Sequence, residues 1–497
     1  MRYLHLLTGA ALLAAPAGAT TLRDAFVEAY STNPTLAAAR AQQQAVDEGV
    51  PIAKSQSRPQ VTSSLGFTQN TSGITSLRNG GRVISGQLNL SMPIYQGGRV
   101  RNAIDAAEER VVAGRANLQT TEGNVFTQAV QAYMDVIRNQ SVVALNVKQV
   151  RVLETNLRAS SDRFQVGDLT RTDVAQSQAR LSLARSQLAT AQGNLTSSRE
   201  TYRSVIGSWP ENLAPPPPLP KLPATSDEAV NIALAKNPSI QAAAAAARAA
   251  GYDVRTQKAA RLPTISAIGG SSYNNYLNTR AQASGFDASQ NALLDQIFEQ
   301  NSAGVQLSLP LYQGGLVGAR VRQAQATESQ AVEQAIDTER QVIANVRAAF
   351  AIFKAAGEAI AANQQAVDAN TLALQGVKAE NSVGSRTVLE VLNAEQELVN
   401  AQVALVTAER DQYVAGFTLV NAMGLAQARD LGLDGGTLYD PVVNYEHQRN
   451  RISDWGDRPR YAPQGTSTNG PTPVDADAQP LAPDPAADMT PVTSPPR

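Results

Sequence analysis

The chain has 497 residues, enough for about three ordinary domains, and its charge is balanced, with 42 Lys and Arg against 43 Asp and Glu. Because no excess of positive charge is present to attract phosphates, nucleic-acid binding is not expected. The absence of cysteine excludes disulfides, thiolate catalysis, zinc–thiolate sites and a lipid-modified N-terminal Cys. The two histidines, His5 and His447, fall outside the expected folded part, which argues against an imidazole-based active site. No cofactor is implied.

The amino terminus is typical of a secretory signal peptide. Arg2 is followed by an apolar stretch over 4–15 and then by Ala17-Gly18-Ala19, a small-x-small sequence of the kind that signal peptidase cleaves. We therefore predict a signal peptide over 1–19. The alternative is a buried first helix, which the shortness of the apolar run disfavours. No later stretch of about 20 apolar residues occurs, so a membrane location would require strands.

The rest of the chain is a duplication divided by proline-rich segments. Landmarks recur at an offset of 204 and then 217; they are Asn33-Pro34 with Asn237-Pro238, Pro59 with Pro263, residues 90–98 with 307–315, Val166-Gly167 with Val383-Gly384, and Gly207 with Gly424. We predict a first repeat over 20–208, an extended, solvated connector over 209–223, a second repeat over 224–433, and a C-terminal segment over 434–497. Since 446–497 has little to bury, we expect disorder there.

Each half predicts long helices. Proline is absent between Pro93 and Pro210 and between Pro310 and Pro441, and apolar residues recur there at helical spacing. Heptads with one large apolar residue and one alanine predict a seam in which helices approach closely. If 98–165 forms one helix, it is on the order of 100 Å long, far longer than a globular domain.

Two shorter segments, 84–92 and 303–309, alternate apolar and polar residues, the period that is typical of strands. Their expected partners, 61–68 and 264–271, alternate less cleanly. We predict strands at about 60–70, 83–93, 263–273 and 302–311. They form either ordinary solvent-facing hairpins or membrane strands with an apolar outer face. Because four strands cannot close around a lumen and open edges are not tolerated in lipid, the membrane interpretation requires an oligomer.

Together these features resemble the TolC family, the outer-membrane channel-tunnels of Gram-negative bacteria. The resemblance covers about 21–433 and includes the signal peptide, the two repeats, the Tyr-Gln-Gly-Gly motif after each hairpin, and Val-Gly-Ser-Arg-Thr-Val-Leu-Glu-Val-Leu at 383–392. It implies a mainly α fold with a membrane β-barrel. Three protomers each give four strands to one twelve-stranded barrel, and their helices form a long periplasmic coiled-coil tunnel, with an equatorial C-terminal segment. The missing lipid-attachment Cys resembles the branch held by its barrel alone.

The resemblance also implies a gate at the tunnel entrance, closed by polar links between inner and outer coiled coils. Matched residue by residue, the latch falls on Arg386, Thr172 and Asp173, and the acidic constriction on Glu390 and Asn393. Two positions depart from the family: a latch tyrosine is Asn381, and the second acidic position is neutral Asn393. The alternative for Arg386 is a solvated helix charge. Three copies of Glu390 would attract cations and raise one another's pKa.

The implied function is a passive outer-membrane exit duct for an efflux or type I secretion system. Its implied partners are two further copies of the chain, outer-membrane lipid, a periplasmic adaptor (membrane fusion) protein and an inner-membrane ABC or proton-driven transporter. The sequence contains no Gly-x-x-x-x-Gly-Lys-Ser/Thr loop, so energy would come from the transporter. The alternative is a structural coiled-coil surface protein or adhesin, which has no use for the amphipathic hairpins. An enzyme is not expected, and secreted protein or small toxic molecules both remain open as cargo.

Overall fold

The computed structural model describes residues 19–71, 81–279, 295–433, 438–463, 465 and 468–470. The predicted signal peptide over 1–19 lies outside these residues except for Ala19. Within the described ranges the chain forms ten helices and four strands. In chain order they are α1 (Leu22–Thr32), α2 (Pro34–Asp47), α3 (Gly49–Ser55), β1 (Gln60–Gln69), β2 (Arg82–Tyr95), α4 (Arg99–Gln165), α5 (Arg171–Ile206), α6 (Ser226–Lys236), α7 (Pro238–Ala259), β3 (Thr264–Asn275), β4 (Ile297–Ser308), α8 (Leu316–Ser382), α9 (Val388–Ala422) and α10 (Pro441–Gln448).

The repeated Asn-Pro pair marks the same helix junction in both halves. Asn33 and Asn237 each end one helix and cap the next, with the side-chain oxygen accepting a hydrogen bond at 2.9 Å from the backbone N–H of Thr35 or Ser239. The proline that follows is the first residue of the new helix, where its missing N–H has no intrahelical partner to lose. Local chemistry therefore fixes both junctions.

The long helices match the lengths expected from the sequence. α4 and α8 each contain 67 residues, or about 100 Å at 1.5 Å per residue. Each ends in a turn containing Gly167 (φ +82°) or Gly384 (φ +81°), a left-handed conformation that favours glycine. The chain then returns through α5, of 36 residues, or α9, of 35. No helix in the described part of the chain is both long and apolar enough to cross a membrane.

The four strands form one antiparallel sheet in the order β1-β2-β3-β4. Paired residues share a face: Val61 lies opposite Leu90 on one face, while Thr62 lies opposite Asn89 on the other. Leu65 belongs to the first face and is 83% exposed. The sheet thus has an apolar and a polar face, because strand residues alternate in direction.

β4 begins five residues earlier, and ends three residues earlier, than the strand predicted at about 302–311. Pairing with β3 continues as far as Asn275 opposite Ile297. The polar run over 299–301 hid this part of the strand from the alternation pattern. Main-chain hydrogen bonds extend a ladder whatever the polarity of the side chains.

The Tyr-Gln-Gly-Gly motif lies where the sheet gives way to a long helix. Gly97 and Gly98 have φ of +60° and +78°, and Gly314 and Gly315 have φ of +58° and +83°. A Cβ on Gly97 would also come within 2.6 Å of the Cβ of Leu262. Two successive left-handed residues redirect the chain from strand to helix, so backbone geometry explains the motif.

The largest apolar core surrounds the middle of α4, where α1, α5 and α9 converge. The connector over 209–223 packs against it through Leu213, Leu219 and Leu222. The hydroxyl of buried Tyr133 also donates a hydrogen bond to the carbonyl oxygen of Ala214 at 2.6 Å. The connector is extended, but the expectation that it is solvated is wrong for these leucines, because they supply part of the core.

The disorder predicted from residue 446 onward is wrong for the first part of that segment. The chain is helical through α10 and then packs along α2 and α3. Asn444 donates to Asp47 at 2.6 Å, and Arg458 donates to Gln44 at 2.7 Å and to Glu48 at 3.2 Å. Polar contacts hold this segment against α2 and α3. Because the segment has no apolar periodicity, its sequence did not indicate that it would be ordered. The expected disorder of 471–497 concerns residues outside those described.

Candidate functional site

The candidate site comprises the two hairpin turns at the ends of α4 and α8 that lie farthest from the sheet. The first turn spans 166–170 and the second spans 383–387. A threonine caps the returning helix in each, with an acidic residue three positions later: Thr170 with Asp173, and Thr387 with Glu390. Asp173 and Glu390 are separated by the repeat offset of 217 and so occupy equivalent positions in the two repeats, although the resemblance assigns one to the latch and the other to the constriction.

In the first turn, Asp173 is held by its own cap. The backbone N–H and the hydroxyl of Thr170 donate to its Oδ2 at 3.0 and 2.7 Å. These two hydrogen bonds lower the pKa of Asp173, so that it is ionised at neutral pH. Thr172 is exposed beside it, and Arg163 forms an ion pair of 2.7 Å with Asp168.

In the second turn, Arg386 lies between two carboxylates of its own hairpin. Its Nε is 2.6 Å from Glu380 Oε2, and its Nη1 is 2.7 Å from Glu390 Oε1. The backbone N–H of Thr387 donates to the other oxygen of Glu390 at 2.8 Å. This backbone hydrogen bond, with those from Arg386 and the Thr387 hydroxyl, lowers the pKa of Glu390 to about 2. Within the protomer the pKa of Glu390 is therefore lowered, whereas crowding of three carboxylates was expected to raise it.

The pair predicted between Arg386 and Asp173 is not made within the protomer, because each group is engaged in its own turn. Asn381, which stands at the family's tyrosine position, donates from Nδ2 to the carbonyl oxygen of Arg386 at 2.7 Å. It therefore closes the second turn locally. The latch of Arg386 with Thr172 and Asp173 stays a prediction.

The two hairpins are joined inside the protomer by side chains of α9. Asn393, predicted at the constriction, accepts a hydrogen bond from Arg180 of α5 at 2.6 Å. Leu392, one residue before, is 1% exposed and packs in a cluster with Leu153 of α4 and Leu181 of α5. The neutral side chain at 393 thus connects the first hairpin to the second, an arrangement that the motif by itself did not indicate.

A third link centres on Glu395, which sequence reasoning missed. Glu395 is only 3% exposed. Its Oε1 is 3.1 Å from Lys378 Nζ on α8, and its Oε2 accepts from Asn156 Nδ2 on α4 at 2.9 Å. The counterpart in the first repeat is Gln178, which is exposed. No motif contains Glu395, so only the packing of three helices identifies it.

Nothing in this arrangement points to covalent chemistry. Across the residues that the structure describes, no group of three or more His, Asp or Glu side chains is placed to hold a metal ion. The polar groups at the hairpin ends instead form hydrogen bonds and ion pairs between helices. Such contacts hold helices together while they are made and let them separate when they break.

A sheet with an apolar face at one end and two hairpins of very long helices at the other define an outer-membrane channel protein with a periplasmic helical tunnel. The chain belongs to the outer membrane efflux protein family, whose model matches residues 26–208 and 229–425. The resemblance predicted from the sequence is therefore confirmed. So are the mixed fold, the outer-membrane location and the function as a conduit, and the adhesin alternative is set aside.

The similarity extends over most of the chain. The outer membrane efflux protein BepC of Brucella suis is 37% identical over 444 residues, which cover 89% of this chain and 93% of BepC. The outer membrane protein TolC of Escherichia coli is 26% identical, with 85% and 86% covered. The crystal structure of the Campylobacter jejuni CmeC outer membrane channel matches with a TM-score of 0.70 at 17% identity, over 87% of this chain and 90% of that one. Members of this family are channel proteins.

Proposed function

We propose that three copies of this chain assemble into one passive exit duct. The sheet has two open edges, β1 and β4, and unpaired main-chain groups are costly in lipid. Closing twelve strands from three protomers pairs every edge. The helices of the same protomers then form the tunnel.

The observation that carries the proposal is the difference in burial between the two long helices. α4 and α8 are equal in length, yet α8, described in full, buries only Val321, Val342, Val346 and Ala349. Large apolar residues of α8 are exposed along its length, among them Val332, Ile336, Ile352 and Leu372. A helix of this length with a bare apolar face needs further helices to cover it. Neighbouring protomers supply them.

The hairpin ends of this assembly form its periplasmic entrance. Arg386 contacts Thr172 and Asp173 of an adjacent hairpin in the closed state, and Glu390 with Asn393 lines the constriction. A periplasmic adaptor and an inner-membrane ABC or proton-driven transporter engage this end and supply the energy. Relatives named as efflux proteins support this role, while the cargo, secreted protein or small molecules, is decided by the transporter.

The assembly is tested by purifying the protein in detergent, measuring its mass and recording conductance in planar bilayers. We expect a trimer with long-lived pores. Ile336→Asp should weaken the trimer, because a charge is placed on the face that neighbours cover, whereas Gln330→Asp, at an exposed polar position of the same helix, should not. A water-soluble monomer without conductance would contradict the proposal.

The partners are tested by crosslinking in cells and identifying the inner-membrane protein recovered with the chain. Recovery of a protein-secreting ATPase assigns the duct to secretion, and recovery of a proton-driven pump assigns it to efflux. Recovery of neither transporter nor adaptor from an assembled trimer would contradict the tripartite arrangement.

A further inference from the structure

The C-terminal segment extends to the end of the sheet at which β1 begins. After α10 the chain reaches the end of α3, where Lys54 Nζ donates to the carbonyl oxygen of Arg449 at 3.1 Å. Arg58, two residues before β1, donates to the carbonyl oxygen of Arg451 at 2.7 Å. The chain then returns to Glu48, which Arg458 contacts. Residues 451–456 therefore form a loop beside the first residues of the membrane sheet.

This loop is closed by its own hydrogen bonds. The Arg451 guanidinium donates to the carbonyl oxygen of Gly456. The Ser453 hydroxyl donates to the carbonyl oxygen of Trp455 at 2.7 Å, and Gly456 takes a left-handed φ of +110°. The loop therefore has a defined shape of its own.

Two large apolar side chains project from this closed loop into the surroundings. Ile452 is 78% exposed and Trp455 is 89% exposed. Single exposed apolar residues are ordinary on a protein surface, but two large ones lie together on this short loop, and tryptophan is enriched at membrane–water interfaces. Indole prefers this boundary because its ring is apolar and its N–H is polar.

The surroundings of the loop continue the membrane surface. Ile94 and Tyr95, at the end of the sheet where β2 finishes and β1 begins, are 60% and 46% exposed. Aromatic residues at strand ends form the girdles of membrane barrels. The positive side chains of Lys54 and Arg58 donate to main-chain oxygens at the start of the loop, where they can contact lipid phosphates.

We infer that the loop over 451–456 is a membrane anchor, which inserts Ile452 and Trp455 into the phospholipid interface at the periplasmic side of the outer membrane. The inference rests on the outer-membrane location of the family and not on the gate or the cargo. The anchor holds the C-terminal segment, which contacts α2 and α3, at the membrane surface.

The chain offers a direct test, because Trp209 and Trp455 are its only tryptophans. Trp209→Phe leaves Trp455 as the sole emitter, and Trp455→Phe leaves Trp209. Trp209 follows α5, which runs back along α4 toward the sheet. Because α5 has only 36 residues and α4 has 67, α5 ends about halfway, and Trp209 lies roughly 45 Å from the sheet. Its ring stacks on Arg203, with 4.7 Å between the guanidinium carbon and the ring centroid. It is therefore a matched control far from lipid.

Both variants are reconstituted into vesicles of phosphatidylethanolamine and phosphatidylglycerol, with and without lipids brominated near the headgroup. We expect blue-shifted emission from Trp455 and a roughly twofold loss of its intensity with brominated lipid, in keeping with burial at the interface. Trp209 should lose almost none. Conductance of the same vesicles reports separately on the channel, so failure of the pore is distinguished from failure of the anchor.

Two results would overturn the inference. Emission from Trp455 that stays red-shifted and is quenched by acrylamide places the indole in water. Blue-shifted emission without quenching by brominated lipid places it against a neighbouring protomer instead of lipid.

Discussion

The two hairpin turns have the same backbone but different charges. Both use a left-handed glycine, Gly167 or Gly384, and both cap the returning helix with a threonine and an acidic residue. In the first turn, among the residues that the structure describes, the hydrogen bonds to the carboxylate of Asp173 come from Thr170. In the second, Glu390 is held by its threonine and by Arg386, which also binds Glu380.

The difference shows which part of a duplicated structure is free to diverge. Glycine and the threonine cap are dictated by the turn, because backbone conformation and unpaired N–H groups impose them. The position of Arg386 corresponds to Leu169 in the first repeat, and that of Glu380 to Arg163. The charges of the second turn are therefore not required by the fold, and the proposed gate would account for them.

The largest effect is expected from Glu395→Ala. This change leaves the amide of Asn156 and the ammonium of Lys378 without their shared carboxylate. Loss of a buried hydrogen-bonded partner costs about 1–3 kcal/mol. Hydrogen exchange of the backbone amides at the start of α9 should accelerate accordingly. Gln178→Ala, at the equivalent and exposed position of α5, should leave exchange unchanged, and equal acceleration in both variants would show that the link carries no special role.

Arg386→Ser should raise the open fraction of the channel. Each exposed link contributes little by itself. Because three identical links break together, their loss should raise the ratio of open to closed channels roughly tenfold. Single-channel conductance and entry of large antibiotics measure the change, and the trimer should stay intact. Asp173→Ala should act alike, and the double mutant should be little worse than either single change, since both remove the same link.

Two controls separate this latch from contacts inside one hairpin. Arg163→Ser removes the ion pair of the first turn and should not alter conductance. Glu380→Gln removes a partner of Arg386 within its own hairpin. If Glu380→Gln opened the channel as much as Arg386→Ser does, the latch between protomers would be the wrong explanation.

Thr170→Ala and Thr387→Ala should each have a smaller effect than the changes above, and the two effects should be equal to one another. Each removes a side-chain cap worth about 1 kcal/mol, so exchange in the first turn of α5 or α9 should rise by similar factors. Serine at either position retains the hydroxyl and should restore protection. A much larger effect at Thr387 than at Thr170 would mean that the second cap also supports the gate.

The smallest effect is expected from Glu390→Gln, which should lower cation preference by about twofold, because a ring of negative charge is removed from the entrance. Asp168→Asn removes a carboxylate from the first turn and should leave selectivity unchanged. Equal losses in the two variants would place Glu390 away from the pore.

The pH dependence of selectivity sharpens the same comparison. With a pKa of about 2, Glu390 stays ionised as the pH falls from 7 to about 4, and the charge is lost only as the pH approaches 2. Cation preference should follow that course in reversal-potential measurements. A loss beginning above pH 4.5 would show that crowding in the trimer outweighs the hydrogen bonds of the protomer.

Much of the fold follows from the sequence because its signals are local. Proline-free stretches with helical spacing predicted α4 and α8, and alternation predicted the faces of β2 and of the later part of β4. Where alternation stopped, at residues 299–301, the start of β4 was misplaced, since pairing with β3 extends the strand. The C-terminal segment was misjudged for a related reason, because Arg458 and Asn444 hold it through polar contacts with distant residues.

The sequence by itself determined the duplication, the glycine turns, the caps and the family, because each depends on residues that are neighbours along the chain. Only the tertiary structure decided which charges meet. It gave Arg386 the partners Glu380 and Glu390, buried Glu395 between three helices, and connected Asn393 to Arg180. A side chain's partner across helices depends on the rotation and offset of each helix against the next, and those are fixed by packing over the whole length of the hairpins.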